Sequence, residues 1–231
     1  MSKPNLSFFT YFFIISALHL TAMIFNMEWL GTNTKPFLLL SLIYAVLAFA
    51  KSSSADKRWI NLLIAALGFS CAGDVLLLLE KKLNNPLLFY FGLGAFLFAH
   101  ISYIILYKNW GKQFKSIPLL SIYILYLLFF LYLLVPGMKT DLAIPVVLYG
   151  FVLCAMAWSA WRIVSVHKAF GLYVVFGAIL FVISDSILAI RKFKMPVAQG
   201  DFLIMLTYLA AQFLITWGIL NTMNQISTSE S

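Results

Sequence analysis

The feature that most constrains this chain is a series of long apolar blocks, separated by short polar segments, along all of its 231 residues. Each block approaches the roughly 20 residues that an α-helix needs to cross the hydrocarbon core of a bilayer. Apolar residues make up 63% of the chain and charged residues only 10%, whereas soluble domains carry about 25% charged residues. The blocks predict spans at residues 6–25, 36–50, 60–79, 88–107, 117–135, 143–161, 171–190 and 201–221. The sequence therefore predicts an all-α, polytopic transmembrane helical bundle of about eight spans, with residues 1–231 forming a single transmembrane domain.

The polar connections are basic, and their charges are dispersed. We interpret the formal net charge of +8 as anchoring at the membrane interface, and nucleic acid is not an expected partner. Lys and Arg are divided almost evenly between the two sets of connections, so the positive-inside rule leaves the orientation open. The connections leave no room for a soluble domain, so we expect the protein to act within the cell membrane. Homo-oligomerisation is left open.

Two aspartates lie inside apolar blocks, Asp74 in the third and Asp185 in the seventh. Each comes five residues before the predicted end of its span, at 79 and 190, which places both about 7 Å below the same membrane face. A carboxyl at such a position costs about 2.5 to 3.5 kcal/mol on insertion scales and usually marks a functional cavity. If both face one pocket, burial and mutual repulsion favour one protonated and one ionised group, an acid and a base in one site.

The structural alternative is that each aspartate only forms a hydrogen bond to a neighbouring helix. Ser70 lies one turn before Asp74, and Ser184 and Ser186 flank Asp185, so these serines are the candidate partners.

Other polar residues in the spans are candidates for orienting a water or a substrate oxygen. His100 lies in the fourth span, and Tyr208 and Gln212 lie one turn apart in the eighth, where both can point into one cavity. Interhelical packing is the alternative for each of them. His19 is isolated in the first span and His167 lies in a connection, so the histidines form no zinc signature.

Basic residues cluster at the membrane face nearer to the aspartates. They could hold the phosphate of a lipid above the carboxyl pair, and ordinary headgroup anchoring is the alternative. These residues are Lys35, Lys81, Lys82, Arg191 and Lys192.

Several short segments, in this order and spacing, resemble the lysoplasmalogenase family, also called YhhN-like, over nearly the whole chain. They are Thr34-Lys35-Pro36 opening the second span, Gly68 to Leu77, Phe91-Gly92, Phe98-Ala99-His100 with Tyr103, Tyr149 with Met156, Ser184-Asp185-Ser186, and Tyr208 with Gln212. One departure is the charged end of the seventh span at Arg191-Lys192, which bears on the headgroup more than on the chemistry.

The resemblance implies hydrolysis of the vinyl ether bond of lysoplasmalogens within the bilayer, without a metal or an organic cofactor. The products would be a fatty aldehyde and glycerophosphocholine or glycerophosphoethanolamine. One of Asp74 and Asp185 would protonate the alkenyl carbon, and the other would stabilise the cation and activate water. We favour Asp74 as the acid, because its neighbours Gly73 and Val75 give no polar help to keep it ionised. The residues expected to position water and substrate are His100, Tyr208, Gln212, Ser70 and Ser184.

Three other functions fit the sequence. A small proton-coupled transporter would also use paired intramembrane carboxyls. Another membrane lipid hydrolase could use a metal ion held by His100 and the aspartates. The third is a non-catalytic lipid-binding protein. The sequence contains no nucleophile elbow, P-loop or dinucleotide fingerprint.

Overall fold

The computed structural model describes residues 4–110, 116–138 and 140–229. Within them, eight helices are long and apolar enough to cross a membrane. After a short 3-10 turn at Leu6–Phe9, the helices are α1 Thr10–Ile24, α2 Glu28–Ser52, α3 Lys57–Leu83, α4 Pro86–Trp110, α5 Ile117–Leu134, α6 Thr140–Val164, α7 Lys168–Phe193 and α8 Gly200–Ser229. The described residues include no β-strand. The prediction of an all-α transmembrane bundle is confirmed, and the protein is an integral membrane protein.

The second helix is longer than its apolar block. It begins at Glu28, whereas the apolar pattern predicted a start at residue 36. Left-handed backbone at Asn26, with φ 54°, turns the chain between α1 and α2. Pro36 lies inside α2, where it removes a single helical hydrogen bond. The segment Thr34-Lys35-Pro36 therefore lies two turns inside the helix instead of opening it.

The two aspartates lie at matched depths in parallel helices. α3 ends at Leu83 and α7 ends at Phe193, so both continue beyond their predicted ends. Asp74 and Asp185 are nine and eight residues from these ends, which corresponds to about 12 to 13 Å along the helix axes. The two carboxyls therefore lie at nearly equal distances from the ends of their helices.

Glycines bring the helices that carry the polar residues into close contact. A Cβ added to Gly177 of α7 would lie 2.8 Å from the carbonyl oxygen of Ala211 in α8, and one added to Gly73 would lie 2.6 Å from the ring of Phe96 in α4. Small residues allow such close approach between transmembrane helices. The pairs α3–α4 and α7–α8 are therefore closely packed.

α5 stands at the outside of the bundle. Its described buried residue is Leu134, while Leu125 is 65% and Tyr132 is 77% exposed. In a bilayer these side chains face lipid. The helix therefore forms an outer wall that covers part of α6 and α7.

Candidate active site

The structure places both aspartates in one polar cluster within the bundle. Asp74 in α3 is 4% exposed, and its Oδ2 accepts a hydrogen bond of 2.7 Å from the hydroxyl of Tyr208 in α8. Asp185 in α7 accepts a bond of 2.5 Å at Oδ2 from the hydroxyl of Tyr149 in α6. The two carboxyl groups are close enough to interact electrostatically. Four helices therefore bring two carboxyls and two phenols together.

His100 in α4 extends this cluster behind Tyr149. Its Nε2 lies 3.0 Å from the Tyr149 hydroxyl and 3.8 Å from Oδ2 of Asp185. Because Tyr149 donates its single proton to Asp185, its oxygen accepts from His100, and the ring proton is assigned to Nε2. His100 is fully buried. The three groups thus form a directed chain of hydrogen bonds that ends on the Asp185 carboxylate.

The other three residues predicted to position substrate lie in helix contacts. The Oε1 of Gln212 accepts a bond of 2.7 Å from the Tyr103 hydroxyl. Ser184 donates to the carbonyl of Ile204 at 3.0 Å, and so joins α7 to α8. Ser70 is completely buried, and its hydroxyl forms no hydrogen bond to any described residue. The donors to the aspartates are tyrosines from other helices, so neither Ser70 nor Ser184 serves as their partner.

Sequence reasoning missed Tyr149 as a site residue. The signal was present, because a tyrosine inside an apolar span needs a partner for its hydroxyl. The reason given for Asp74 as the acid, a lack of polar help, is also wrong, since Tyr208 donates to it. That donor comes from a helix remote in sequence, so Gly73 and Val75 could not reveal it. The assignment of Asp74 as the acid stays a prediction.

An apolar pocket adjoins Asp185, and α5 forms one of its walls. Its volume is about 770 Å³ including its mouth, and leucine and phenylalanine side chains of α4 to α7 form most of its walls. Asp185, Tyr149 and Ser186 supply polar groups to the lining, and Lys192 lies there too. Asp74 is not among the described residues that line it. The pocket therefore presents one of the two carboxyls directly to a long apolar ligand.

One polar contact attaches α5 beside this carboxyl. The hydroxyls of Tyr126 in α5 and Ser186 in α7 are hydrogen-bonded to each other, and Ser186 also donates to the carbonyl of Val182 at 2.5 Å. Leu127 and Phe130 of α5 line the same pocket. The wall between the pocket and the lipid is thus a single helix with few buried residues.

Three of the basic residues predicted to bind phosphate form ion pairs with two different carboxylates. The Nζ of Lys81 lies 3.7 Å from Asp201, and Arg191 contacts the same carboxylate. The Nζ of Lys192 lies 2.7 Å from Oε1 of Glu80. Of the five predicted basic residues, Lys192 is the one that lines the described pocket.

Lys35 belongs to a different part of the site. In α1, Nδ1 of His19 lies 2.8 Å from the Thr34 hydroxyl, and Lys35 is within electrostatic range of both His19 and Asp74. His19, which has no other histidine near it in the sequence, is thus in hydrogen-bond contact with α2. The helix that carries Thr34 and Lys35 brings a positive charge towards the more buried aspartate.

The donors for a metal ion do not gather in the described part of the chain. Among residues 4–110, 116–138 and 140–229, no group of three or more His, Cys, Asp or Glu side chains is arranged to hold a metal ion. Nε2 of His100 is directed at Tyr149. A site built from His100 and both aspartates gains no support from this geometry.

Comparison with known proteins agrees with the sequence pattern. The YhhN family model matches residues 30–219. Human lysoplasmalogenase TMEM86B is 34% identical over 171 residues, which cover 73% of this chain and 68% of that protein. The Sus scrofa protein of the same name is 29% identical over 194 residues, with 83% and 76% covered. The lysoplasmalogenase of Mycobacterium tuberculosis is 30% identical over 189 residues, with 78% and 67% covered. No solved structure matches the chain.

Proposed function

This chain belongs to the YhhN family, and on that premise we propose that it is a lysoplasmalogenase of the cell membrane, a hydrolase that cleaves the vinyl ether bond of 1-alkenyl lysophospholipids. The products are a fatty aldehyde and glycerophosphocholine or glycerophosphoethanolamine. Relatives that bear this name come from mammals and from mycobacteria. The observation that carries the proposal is the Asp185 carboxyl, which accepts a hydrogen bond from Tyr149 and lines an apolar pocket large enough to take an alkyl chain among α4 to α7.

The chemistry of vinyl ethers explains why such a site suits the reaction. A proton is first transferred to the alkenyl carbon that does not bear oxygen, and an oxocarbenium ion forms. Water adds to the other alkenyl carbon and loses a proton, which gives a hemiacetal. The hemiacetal breaks into the aldehyde and the glycerol, whose oxygen takes a proton. The reaction therefore requires a proton donor and a carboxylate near the developing cation.

We assign these tasks to Asp74 and Asp185. The reaction requires one of them to be protonated and the other to be ionised, and two ionised carboxylates would repel each other in a medium of low dielectric constant. Asp185 is among the described residues that line the pocket and Asp74 is not, so we assign to Asp185 the carboxylate that stabilises the cation and activates water. Asp74 is the proton source in this assignment. Tyr149 is within electrostatic range of both carboxyls.

The remaining polar residues position these two groups. Tyr208 in α8 orients Asp74. Gln212, one turn further along α8, accepts a hydrogen bond from Tyr103 of α4 and so holds that tyrosine against α8. His100 acts through Tyr149. The alkenyl chain lies among the leucine and phenylalanine side chains of the pocket. Lipid tails are as apolar as these side chains, so the chain passes from the bilayer into the pocket at little cost or gain in hydrophobic free energy.

The test is release of aldehyde from a lysoplasmalogen by the purified protein in detergent. Asp74→Asn and Asp185→Asn are each expected to abolish release while the protein remains folded. The control is Asp141→Asn, which makes the same change at an exposed position in the first turn of α6. In D₂O the aldehyde, trapped by reduction, should carry one deuterium on the carbon next to the carbonyl.

Each outcome has a distinct meaning. Aldehyde release that persists in both aspartate variants would remove the catalytic assignment. If the wild-type protein releases no aldehyde, and instead moves a solute across proteoliposomes, the transporter alternative replaces the proposed function.

A further inference from the structure

A cation-binding arrangement lies at the outer end of the pocket. The Nζ of Lys192 is 2.7 Å from Oε1 of Glu80 and 4.9 Å from the centre of the Phe89 ring. A carboxylate and an aromatic face are the groups with which proteins hold ammonium ions, including quaternary ones. Phe89 and Lys192 both line the pocket, and Glu80, which is not among the described lining residues, lies next to it through its contact with Lys192. This end of the pocket therefore holds an ammonium group, which Lys192 itself supplies.

The spacing along α7 relates this arrangement to the aspartate. Lys192 follows Asp185 by seven residues in one helix, so the two side chains lie on the same face, about 10 Å apart along the axis. In a 1-alkenyl lysophospholipid, five single bonds join the ether oxygen to the phosphorus and span roughly 6 Å when extended. With the vinyl ether at Asp185, the phosphate comes within reach of the long Lys192 side chain. An amine beyond the phosphate then reaches Glu80.

We propose that Lys192, Glu80 and Phe89 recognise the headgroup of the substrate and select amino-alcohol phospholipids. Lys192 leaves Glu80 and binds the phosphate, while Glu80 and the Phe89 ring take the ammonium group of the ligand. Each charge exchanges one partner for another, so none is left unpaired. The inference rests on the proposed function and adds to it the residues that set headgroup specificity.

The site discriminates between headgroups by the charges that each headgroup brings to Lys192 and Glu80. A headgroup with a phosphate but no amine draws Lys192 away from Glu80 and gives the carboxylate nothing in return. It also places a second negative charge beside Glu80. A site of this kind rejects the wrong ligand through an unpaired charge. Lys81 and Arg191 do not replace Lys192, because neither lies among the described residues that line the pocket.

The experiment compares three 1-alkenyl lysolipids that carry ethanolamine, choline or a bare phosphate headgroup. For each, kcat/KM of aldehyde release is measured for the wild type, Glu80→Gln and Lys192→Gln. The matched controls are Glu28→Gln and Lys194→Gln, which remove the same charges at exposed positions near the ends of α2 and α7.

The two substitutions are expected to differ in kind. Glu80→Gln should lower kcat/KM about tenfold for the two amine-bearing substrates and leave the bare phosphate substrate unchanged or faster. Lys192→Gln should lower kcat/KM about tenfold for all three, because all contain the phosphate. The controls should retain the wild-type ratios. An unchanged preference in Glu80→Gln would overturn the proposal.

A charge exchange separates recognition from a structural role of the ion pair. The double variant Glu80→Lys/Lys192→Glu keeps an ion pair between α3 and α7 but reverses its polarity. If the pair recognises the headgroup, this variant folds but its kcat/KM for the amine-bearing substrates stays low. Recovery of wild-type kcat/KM would show that the pair only holds the helices together. Aldehyde release by the wild type with no headgroup dependence in any variant would refute this inference alone, whereas no release from any substrate would refute the proposed function as well.

Discussion

Removal of one hydroxyl tests the chain of hydrogen bonds that ends on Asp185. Tyr149→Phe deletes the donor at 2.5 Å from Asp185 Oδ2 and leaves the ring in place. It also removes the acceptor of His100 Nε2, whose next acceptor is Asp185 at 3.8 Å. A hydrogen bond to a charged group contributes about 1.5 to 3 kcal/mol, so kcat should fall about 10- to 150-fold.

The assay is single-turnover aldehyde release at saturating lysoplasmalogen, with thermal unfolding in detergent measured in parallel. Tyr132→Phe is the matched control, because that side chain lies on α5 and is 77% exposed. His100→Gln should be milder than His100→Leu, since the amide of glutamine can still donate to Tyr149. Because His100 acts through Tyr149, the losses in the double variant Tyr149→Phe/His100→Leu should be less than additive.

A kcat within about twofold of the wild type in folded Tyr149→Phe would refute the reasoning, since it would leave less than about 0.5 kcal/mol for this hydrogen bond. If the losses of kcat in the double variant are fully additive, His100 does not act on Asp185 through Tyr149.

Three other substitutions probe the frame around the site. Gly73→Ala should destabilise the protein by about 1 to 3 kcal/mol, because its Cβ would lie 2.6 Å from the Phe96 ring, and Phe96→Leu in the same chain should recover part of the loss in thermal unfolding. Ser184→Ala should lower the unfolding free energy by about 1 kcal/mol and leave kcat unchanged, since the hydroxyl bonds the backbone of α8. Asp201→Asn should change stability by less than about 1 kcal/mol, because its ion pair with Arg191 is exposed to solvent, and a larger change in chemical denaturation would contradict this estimate.

The membrane fold could be predicted from the sequence because the bilayer imposes a simple length rule. Each span needs about 20 apolar residues, and eight blocks of that kind are visible in the chain. The rule measures apolar runs and not helices, which is why the start of α2 at Glu28 was missed. The first two turns of α2 are part of the helix but contain many polar residues, so a search for apolar runs does not detect them.

The candidate site is also only partly predictable from the sequence, which reveals its two acids but not their hydrogen-bond partners. Asp74 and Asp185 stand out in the sequence because a carboxyl inside a span is costly. The third and seventh spans cross the membrane in the same direction, and each aspartate lies five residues before the predicted end of its span, so the sequence places both near one level. The partners of these carboxyls do not follow. Tyr208 is 134 residues from Asp74 along the chain, and Lys192 is 112 residues from Glu80.

By itself, then, the sequence determined that the chain lies in a membrane, how many spans it has, and which two acids lie within those spans, since all of these depend on composition and on position along one helix. The tertiary structure decided that Tyr149 and Tyr208 are the donors to the two acids, that Ser184 donates to the backbone of α8, and that Lys192 lines the described pocket while Lys81 does not. The physical reason is rotation about the helix axis. Within a lipid environment every face of an apolar helix is acceptable to the solvent, so only packing against the other helices selects the face that turns inward.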